Sequence, residues 1–302
     1  MEFEFSKILE QALSWIVSHI DAPLWDITII ILLGTGLFFT ITTGFVQFRL
    51  FPASIREMWF GRATEGNSLT PFQAFATGLA SRVGVGNIGG VATAIALGGE
   101  GAVFWMWVTA FIGMSSAFAE STLAQLFKVQ DKDGSFRGGP AYYIIQGLQS
   151  RCMAVSFAVA LIFTFGFAFN SVQANSIVEA TQNAWNWQGE YVGLALVILT
   201  ALIIFGGIKR IAVISSSLVP MMALFYLIMA VIILGMHTEM IPNVLSNIIK
   251  SAFNFDAAAG GMFGALVSKA MMMGIKRGLF SNEAGMGSAP NAAAAALSLI
   301  HI

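Results

Sequence analysis

A glycine-rich, polar stretch inside a long apolar segment constrains this chain more than any other feature. The stretch runs from Gly78 to Gly90 and contains a cation, Arg82, and an amide, Asn87. In lipid, an unwound backbone is tolerated only where protein or a water-filled cavity satisfies its N–H and C=O groups. Helices interrupted near the middle of the membrane commonly hold a small polar solute. The stretch therefore predicts a broken membrane helix with a solute site at the break.

The composition indicates a protein of the lipid bilayer. Of the 302 residues, 57% are hydrophobic and 10% are charged, whereas soluble proteins carry about 25% charged residues. The net charge of −1 gives no attraction for nucleic acid, and the single cysteine, Cys152, excludes an internal disulfide. The sequence shows no phosphate-binding loop, metal-ligand cluster or nucleophile–base pair, which argues against an ATP-driven pump, an enzyme and an organic cofactor.

Apolar runs long enough to cross a bilayer recur along the chain. A span needs about 20 apolar residues, and on that rule we expect about seven. The expected spans are 25–46, 72–97, 102–127, 153–178, 191–205, 213–236 and one that starts near 257 and becomes irregular at Gly274. Residues 1–24 are expected to form an amphipathic segment in the membrane interface.

The charges of the loops predict the orientation. Basic residues are concentrated in alternate loops, whereas the other loops are mainly acidic. The basic set is Arg49, Arg56, Arg62, Lys128, Lys132, Arg137, Arg151, Lys209, Arg210, Lys276 and Arg277, and the acidic set is Glu100, Glu179, Glu190 and Glu239. Because cytoplasmic loops carry the excess of lysine and arginine, the basic loops are predicted to be cytoplasmic and the N-terminus extracytoplasmic, in the inner membrane.

A second glycine-rich stretch resembles the first in kind. It runs from Gly274 to Ser288 and includes Asn282 and Glu283. It comes five spans after the first break, which is the spacing expected of two inverted repeats of five helices. The first repeat would be 72–236, and 257–296 would be the first broken helix of the second repeat.

Three motifs occur in the order typical of one transporter family. They are GVGNIGGVATAI (84–95), GGPAYYI (138–144) and RGLFSNEAGMGSAP (277–290), and they resemble the alanine/glycine:cation symporter family over residues 25–296. The resemblance implies an importer of alanine or glycine coupled to Na⁺ or H⁺. It also implies an all-α, leucine-transporter-like fold of two inverted repeats, preceded by an extra N-terminal helix at 25–46. Many relatives have a threonine where this chain has Val85, so a hydroxyl ligand is missing there and backbone ligands remain.

The C-terminal residues predict an incomplete chain. The family continues through about four further spans, so we expect a C-terminally truncated fragment that does not transport by itself. The last six residues, 297–302, read LSLIHI. This hexapeptide matches the translation of a sequencing-library adapter and is interpreted as a non-native tail, the alternative being the start of the next helix.

The first break supplies the candidate ligands for a small zwitterion. The substrate carboxylate needs N–H donors, which the N-terminus of a half-helix provides. We assign this role to Gly84, Val85, Gly86 and Asn87. The carbonyl oxygens near Gly84 and Asn87 are the candidate cation ligands. The alternative is that the glycines only allow close helix packing.

Polar residues elsewhere complete the candidate substrate site. Asn170 and Gln173 share one face of the fourth span, and their amide oxygens suit the substrate ammonium. An interhelical hydrogen bond is the alternative for both residues. Gly274 is the candidate from the second break.

Charged residues near the two breaks, Arg82, Glu120 and Glu283, are interpreted as gating or structural groups. Glu283 suits the first turn of a helix, and a cytoplasmic gate is the alternative. Arg82, Glu120 and Lys269 lie deepest in apolar sequence, and Arg82 and Glu120 are candidates for an ion pair. Charges at such depth are expected to be paired or to line a cavity.

The sequence as a whole favours symport of small neutral amino acids over the alternatives. A channel would need a continuous polar pore, and a nonfunctional fragment is the other alternative. The sequence does not distinguish alanine from glycine or serine, nor Na⁺ from H⁺, and it indicates no oligomeric state.

Overall fold

The computed structural model describes residues 2–60, 70–132, 134–253 and 263–295. The helices are α1 (Glu2–Ile16), α2 (Ala22–Thr42), α3 (Val46–Arg49), α4 (Phe51–Phe60), α5 (Pro71–Arg82), α6 (Val85–Gly98), α7 (Gly101–Leu126), α8 (Pro140–Leu148), α9 (Arg151–Phe163), α10 (Asn170–Trp185), α11 (Gly189–Ile204), α12 (Gly207–Met236), α13 (Ile241–Phe253), α14 (Phe263–Asn282) and α15 (Ala289–Ala294). A short hairpin pairs β1 (Val129–Gln130) with β2 (Phe136–Arg137) in antiparallel fashion. The prediction of a helical, polytopic membrane protein is confirmed.

Within the described part of the chain, four helical stretches are long and apolar enough to cross a membrane. They are Glu10–Thr42, Gly101–Leu126, Arg151–Trp185 and Arg210–Met236, and Gly189–Ile204 is apolar but shorter. The predicted second span consists of two short helices, α5 and α6, so neither half meets the length of a span by itself. Residues 257–262 of the predicted seventh span and the predicted tail, 297–302, lie outside the described residues.

The helix at the N-terminus is longer than the predicted first span. A π-helical turn, Val17–Asp21, joins α1 directly to α2. No interruption of the helix therefore separates residues 1–24 from the span that follows, and the interfacial placement of 1–24 stays a prediction.

The first break is confirmed and is narrower than predicted. Helix α5 starts with a capping box, in which Thr70 Oγ1 accepts from the Gln73 N–H and Gln73 Oε1 accepts from the Thr70 N–H, both at 3.1 Å. The helix ends at Arg82, and only Val83 and Gly84 are extended before α6 begins at Val85. Gly86 and Asn87 therefore belong to the first turn of α6.

The irregularity predicted at Gly274 is wrong. Helix α14 is continuous through Gly274 and ends only at Asn282. A Cβ at Gly274 would lie 2.4 Å from the carbonyl oxygen of Ala102 in α7. Gly274 therefore lets two helix backbones approach closely, which is what small residues commonly do in membranes. The second break lies further along the chain, between Asn282 and Ala289.

Helix α7 lies at the centre of the packing. It contacts α2, α13, α14 and α15. Both interrupted segments pack beside it, because α6 contacts α7 and also lies against α14. This arrangement brings the two breaks together.

Candidate functional site

Gln173 covers the N-terminus of the second half-helix at the first break. Its Oε1 accepts a hydrogen bond from the Val85 N–H at 3.1 Å. A Cβ at Gly84 would lie only 2.7 Å from Gln173 Nε2, so the contact requires a residue without a side chain at position 84. A π-helical turn, Thr164–Phe169, leads into α10 shortly before Gln173, and such turns frequently occur at functional sites. The structure therefore brings together three predicted site residues, Gly84, Val85 and Gln173.

Asn87 connects the first break to α14. Its Nδ2 donates to the carbonyl oxygen of Arg82 at 2.8 Å, and its Oδ1 accepts from the hydroxyl of Ser281. These two bonds also decide which terminal atom of Asn87 is the oxygen. The sequence did not single out Ser281 for this role, because the contact depends on how α14 packs against α6.

Glu120 holds the second break in place. Residues 283–288 leave the helical conformation, with positive φ at Glu283 (54°), Gly285 (84°) and Gly287 (78°). The Gly285 N–H donates to Glu120 Oε2 and the Gly287 N–H donates to Glu120 Oε1, both at 3.0 Å. Glu283 is only 4% exposed and accepts from the hydroxyl of Ser288. The carboxylate of Glu120 thus satisfies backbone donors that the break leaves unpaired.

Arg82 lies in the field of both carboxylates without a direct ion pair. The charges of Glu283 and Glu120 both act on its guanidinium. Within the described residues, however, no direct ion pair joins Arg82 to either acid. The predicted Arg82–Glu120 ion pair is therefore not formed, because both oxygens of Glu120 face the backbone amides of Gly285 and Gly287.

Two cavities flank the breaks, and Arg82 lines both. One cavity, of about 370 Å³, lies between the first break, α7 and the end of α14. The other, of about 290 Å³, lies between α5, α7 and α15. We call the larger one the break cavity.

Aromatic rings close the side of the site that faces α10. Phe169 and Phe280 are stacked with ring centroids 4.7 Å apart. A Cβ at Gly86 would lie 3.1 Å from Cδ1 of Phe280, so the ring packs directly on the first turn of α6. The sequence did not identify Phe280, although it directly precedes Ser281 in the third motif.

Two predicted site residues do not reach the break. Asn170 is exposed, and its Nδ2 donates to the carbonyl oxygen of Gly166 in its own helix, at 3.1 Å. Gly274 packs against Ala102 and the Cβ of Trp105. Of the two amides on the face of α10, Gln173 alone contacts the break.

Comparison with known proteins gives a consistent result over nearly the whole chain. The sequence model of the sodium:alanine symporter family matches residues 10–299. An uncharacterized transporter of Haemophilus influenzae is 88% identical over 296 residues, which are 98% of this chain and 62% of the relative. The probable sodium/glutamine symporter GlnT of Bacillus subtilis is 48% identical over 95% of this chain and 60% of its own length. The sodium/alanine symporter AgcS of Methanococcus maripaludis is 42% identical over 93% of this chain and 63% of its own length.

The part of the chain matched by the family, and the part of each relative matched by the chain, are relevant to the predicted truncation. The family match includes nearly all of the chain and gives no support to the expectation of a fragment. The chain spans about 60% of the length of the curated relatives that it matches.

Proposed function

Because this chain belongs to the sodium:alanine symporter family, we propose that it takes part in cation-coupled transport of small neutral amino acids across the cytoplasmic membrane. The observation that carries the proposal is the meeting of two interrupted helices. Asn87 of the first break accepts from Ser281 at the end of α14, and Gln173 Oε1 accepts from the Val85 N–H. A solute bound here contacts elements on both sides of the site.

The first break suits an amino-acid carboxylate. The N-terminus of α6 offers backbone N–H groups and the positive end of a helix dipole. The Oε1 of Gln173 occupies that position in the structure. A bound carboxylate takes its place, and the amide oxygen of Gln173 then accepts from the substrate ammonium. The stacked rings of Phe169 and Phe280 form an apolar wall beside this position, against which the side chain of a neutral amino acid can pack.

Sodium is the coupling ion that we favour, and a proton is the alternative. Two relatives are named as sodium symporters. Asn87 Oδ1 and the carbonyl oxygen of Gly84 are oxygen ligands of the kind that a hard cation prefers. The coupling is a linkage: each of the two solutes raises the affinity of the protein for the other by the same factor.

The transport cycle implies a particular fold and orientation. We infer a leucine-transporter-like arrangement in which 72–236 forms the first inverted repeat, with an extra helix at 25–46 before it. The basic loops face the cytoplasm in this arrangement. Arg82, Glu120 and Glu283 then act as structural or gating charges beside the breaks.

Equilibrium binding tests the proposal. Labelled alanine is expected to bind the purified chain more tightly in Na⁺ than in choline, with glycine and serine as competitors. The substitution Gln173→Leu is expected to weaken binding at the first break by at least tenfold, whereas the matched Asn170→Leu leaves the affinity unchanged. Binding that depends neither on Na⁺ nor on the proton concentration would falsify cation coupling.

A further inference from the structure

Two side chains that line the break cavity each carry a buried hydrogen-bond donor without a partner. Among the described residues, Arg82 Nε and Asn282 Nδ2 are both buried and donate to no hydrogen-bond acceptor. Both side chains belong to the lining of the same cavity of about 370 Å³. A buried donor without an acceptor costs about 1–3 kcal/mol. The cavity therefore offers two places for a ligand acceptor.

A hydrogen bond of Asn282 identifies its unpaired terminal atom as an NH₂ donor. Its Oδ1 accepts from the Ala284 N–H at 2.8 Å. Because the Ala284 N–H needs an acceptor, the atom that it contacts is the amide oxygen, and the other terminal atom is the NH₂ group. A Cβ at Gly113 would lie 3.2 Å from this NH₂ group, so glycine at position 113 leaves the space that the amide occupies.

The surrounding charges decide which kind of acceptor fits. Arg82 is the one titratable residue among those that line the cavity, and Glu120 and Glu283 act on it from outside the lining. One guanidinium and two carboxylates sum to a net charge of −1. A halide would increase this negative charge, whereas a zwitterion leaves it unchanged. A carboxylate that carries its own ammonium group is therefore favoured over a simple anion.

We propose that the break cavity is a second amino-acid site, separate from the first break at Val85 and Gln173. The carboxylate of a small neutral amino acid accepts from Arg82 Nε and Asn282 Nδ2. The hydroxyl oxygen of Ser281, whose proton is donated to Asn87, accepts from the ammonium group. This inference rests on the proposed function, because both sites take the same class of substrate.

The number of bound molecules tests the inference. Equilibrium dialysis of the purified chain against saturating labelled alanine in Na⁺ is expected to give two molecules per chain. Asn282→Asp keeps the acceptor for the Ala284 N–H and replaces the free donor by an oxygen, and Arg82→Lys keeps the charge and removes the Nε–H. Each variant is expected to bind one molecule. Asn183→Asp, the same change at an exposed position of α10, is the matched control and is expected to bind two.

Three results would overturn the second site. In the first result, the chain binds one molecule, which is retained in Asn282→Asp and lost in Gln173→Leu. The proposed function then stands, and the break cavity is not a second amino-acid site. Displacement of the second molecule by chloride as effectively as by the zwitterion glycine shows a halide site. No alanine bound at all shows that water alone satisfies the donors, and it overturns the proposed function as well. The competitions with glycine and chloride use the unsubstituted chain, so they decide the question even where a variant fails to fold.

Discussion

At Gly84 the backbone lies closer to the side chain of Gln173 than any residue with a Cβ would allow. We expect Gly84→Ala to push the Gln173 amide away, because the new Cβ would lie 2.7 Å from Nε2. The amide then leaves the position from which its oxygen accepts from the substrate ammonium, and the affinity for alanine falls by about tenfold, equivalent to about 1.4 kcal/mol. Titration with labelled alanine measures the change.

A second glycine of the same segment provides the control for this prediction. A Cβ at Gly78, inside α5, would meet no atom within 4 Å. Gly78→Ala is therefore expected to leave alanine binding unchanged and to stabilise α5 slightly. Equal affinities for the two variants would show that the contact between Gly84 and Gln173 does not position the substrate.

Lys128, just beyond the C-terminus of α7, makes stability depend on pH. Its Nζ lies 4.1 Å from the ring centroid of Phe136 and donates to Gln125 Oε1. Burial lowers the pKa of Lys128 from 10.5 to about 8. Between about pH 8 and pH 10.5 the unfolded chain binds more protons than the folded chain, so this lysine adds stability as the pH rises.

The pH effect can be measured against a substituted chain. The melting temperature of the native chain is expected to rise relative to that of Lys128→Met between pH 8 and pH 10. Lys250→Met, at an exposed lysine of α13, is the control. A difference between native and Lys128→Met that is constant over this range would contradict the burial of the charge.

At the scale of elements, the contact between α7 and α14 is tight at Gly274. Gly274→Ala is expected to destabilise the fold by about 1–3 kcal/mol, because the added Cβ overlaps the Ala102 carbonyl and forces the helices apart. Thermal unfolding measures this loss. Gly235→Ala, in α12, is the control because a Cβ there would meet no atom within 4 Å. If the Gly274→Ala variant keeps native stability and binds alanine more weakly, Gly274 belongs to the substrate site, as the sequence predicted.

The second break depends on Glu120 for its backbone hydrogen bonds. In Glu120→Gln one acceptor oxygen remains and one of the two N–H donors loses its partner, at a cost of about 1–3 kcal/mol. Hydrogen exchange of residues 283–288 is expected to become about tenfold faster or more. Glu179→Gln, at an exposed position of α10, should leave this exchange unchanged. Unchanged exchange in Glu120→Gln would show that another group holds the break.

The sequence predicted the first break because a glycine cluster beside Arg82 and Asn87 conflicts with a lipid environment. It misplaced the second break because a glycine needed for close packing, such as Gly274, looks the same in sequence as a glycine needed for unwinding. The contact between Ser281 and Asn87 could not be predicted from the sequence for a different reason. It requires the packing of two helices that lie far apart in the chain, which residue type and spacing do not specify.

At the scale of the whole molecule, the side of the membrane on which each loop lies remains a prediction. Cys152 is the single cysteine, is exposed, and follows a basic loop predicted to be cytoplasmic. A membrane-impermeant maleimide is expected to label it only after the cells are permeabilised. Trp187→Cys in a Cys152→Ser background places an exposed cysteine in the loop before α11 and is expected to react in intact cells. The reverse pattern would invert the proposed orientation.

The uninterrupted N-terminal helix has a geometric consequence for its surroundings. The apolar helix from Glu10 to Thr42 contains 33 residues, about 50 Å of helix at 1.5 Å per residue. The hydrocarbon layer of a bilayer is about 30 Å thick. An upright helix would therefore overhang the layer by about 20 Å, and only a steep tilt would immerse it fully. The thickness of the membrane then determines how many residues of this helix lie in water rather than in the hydrocarbon layer.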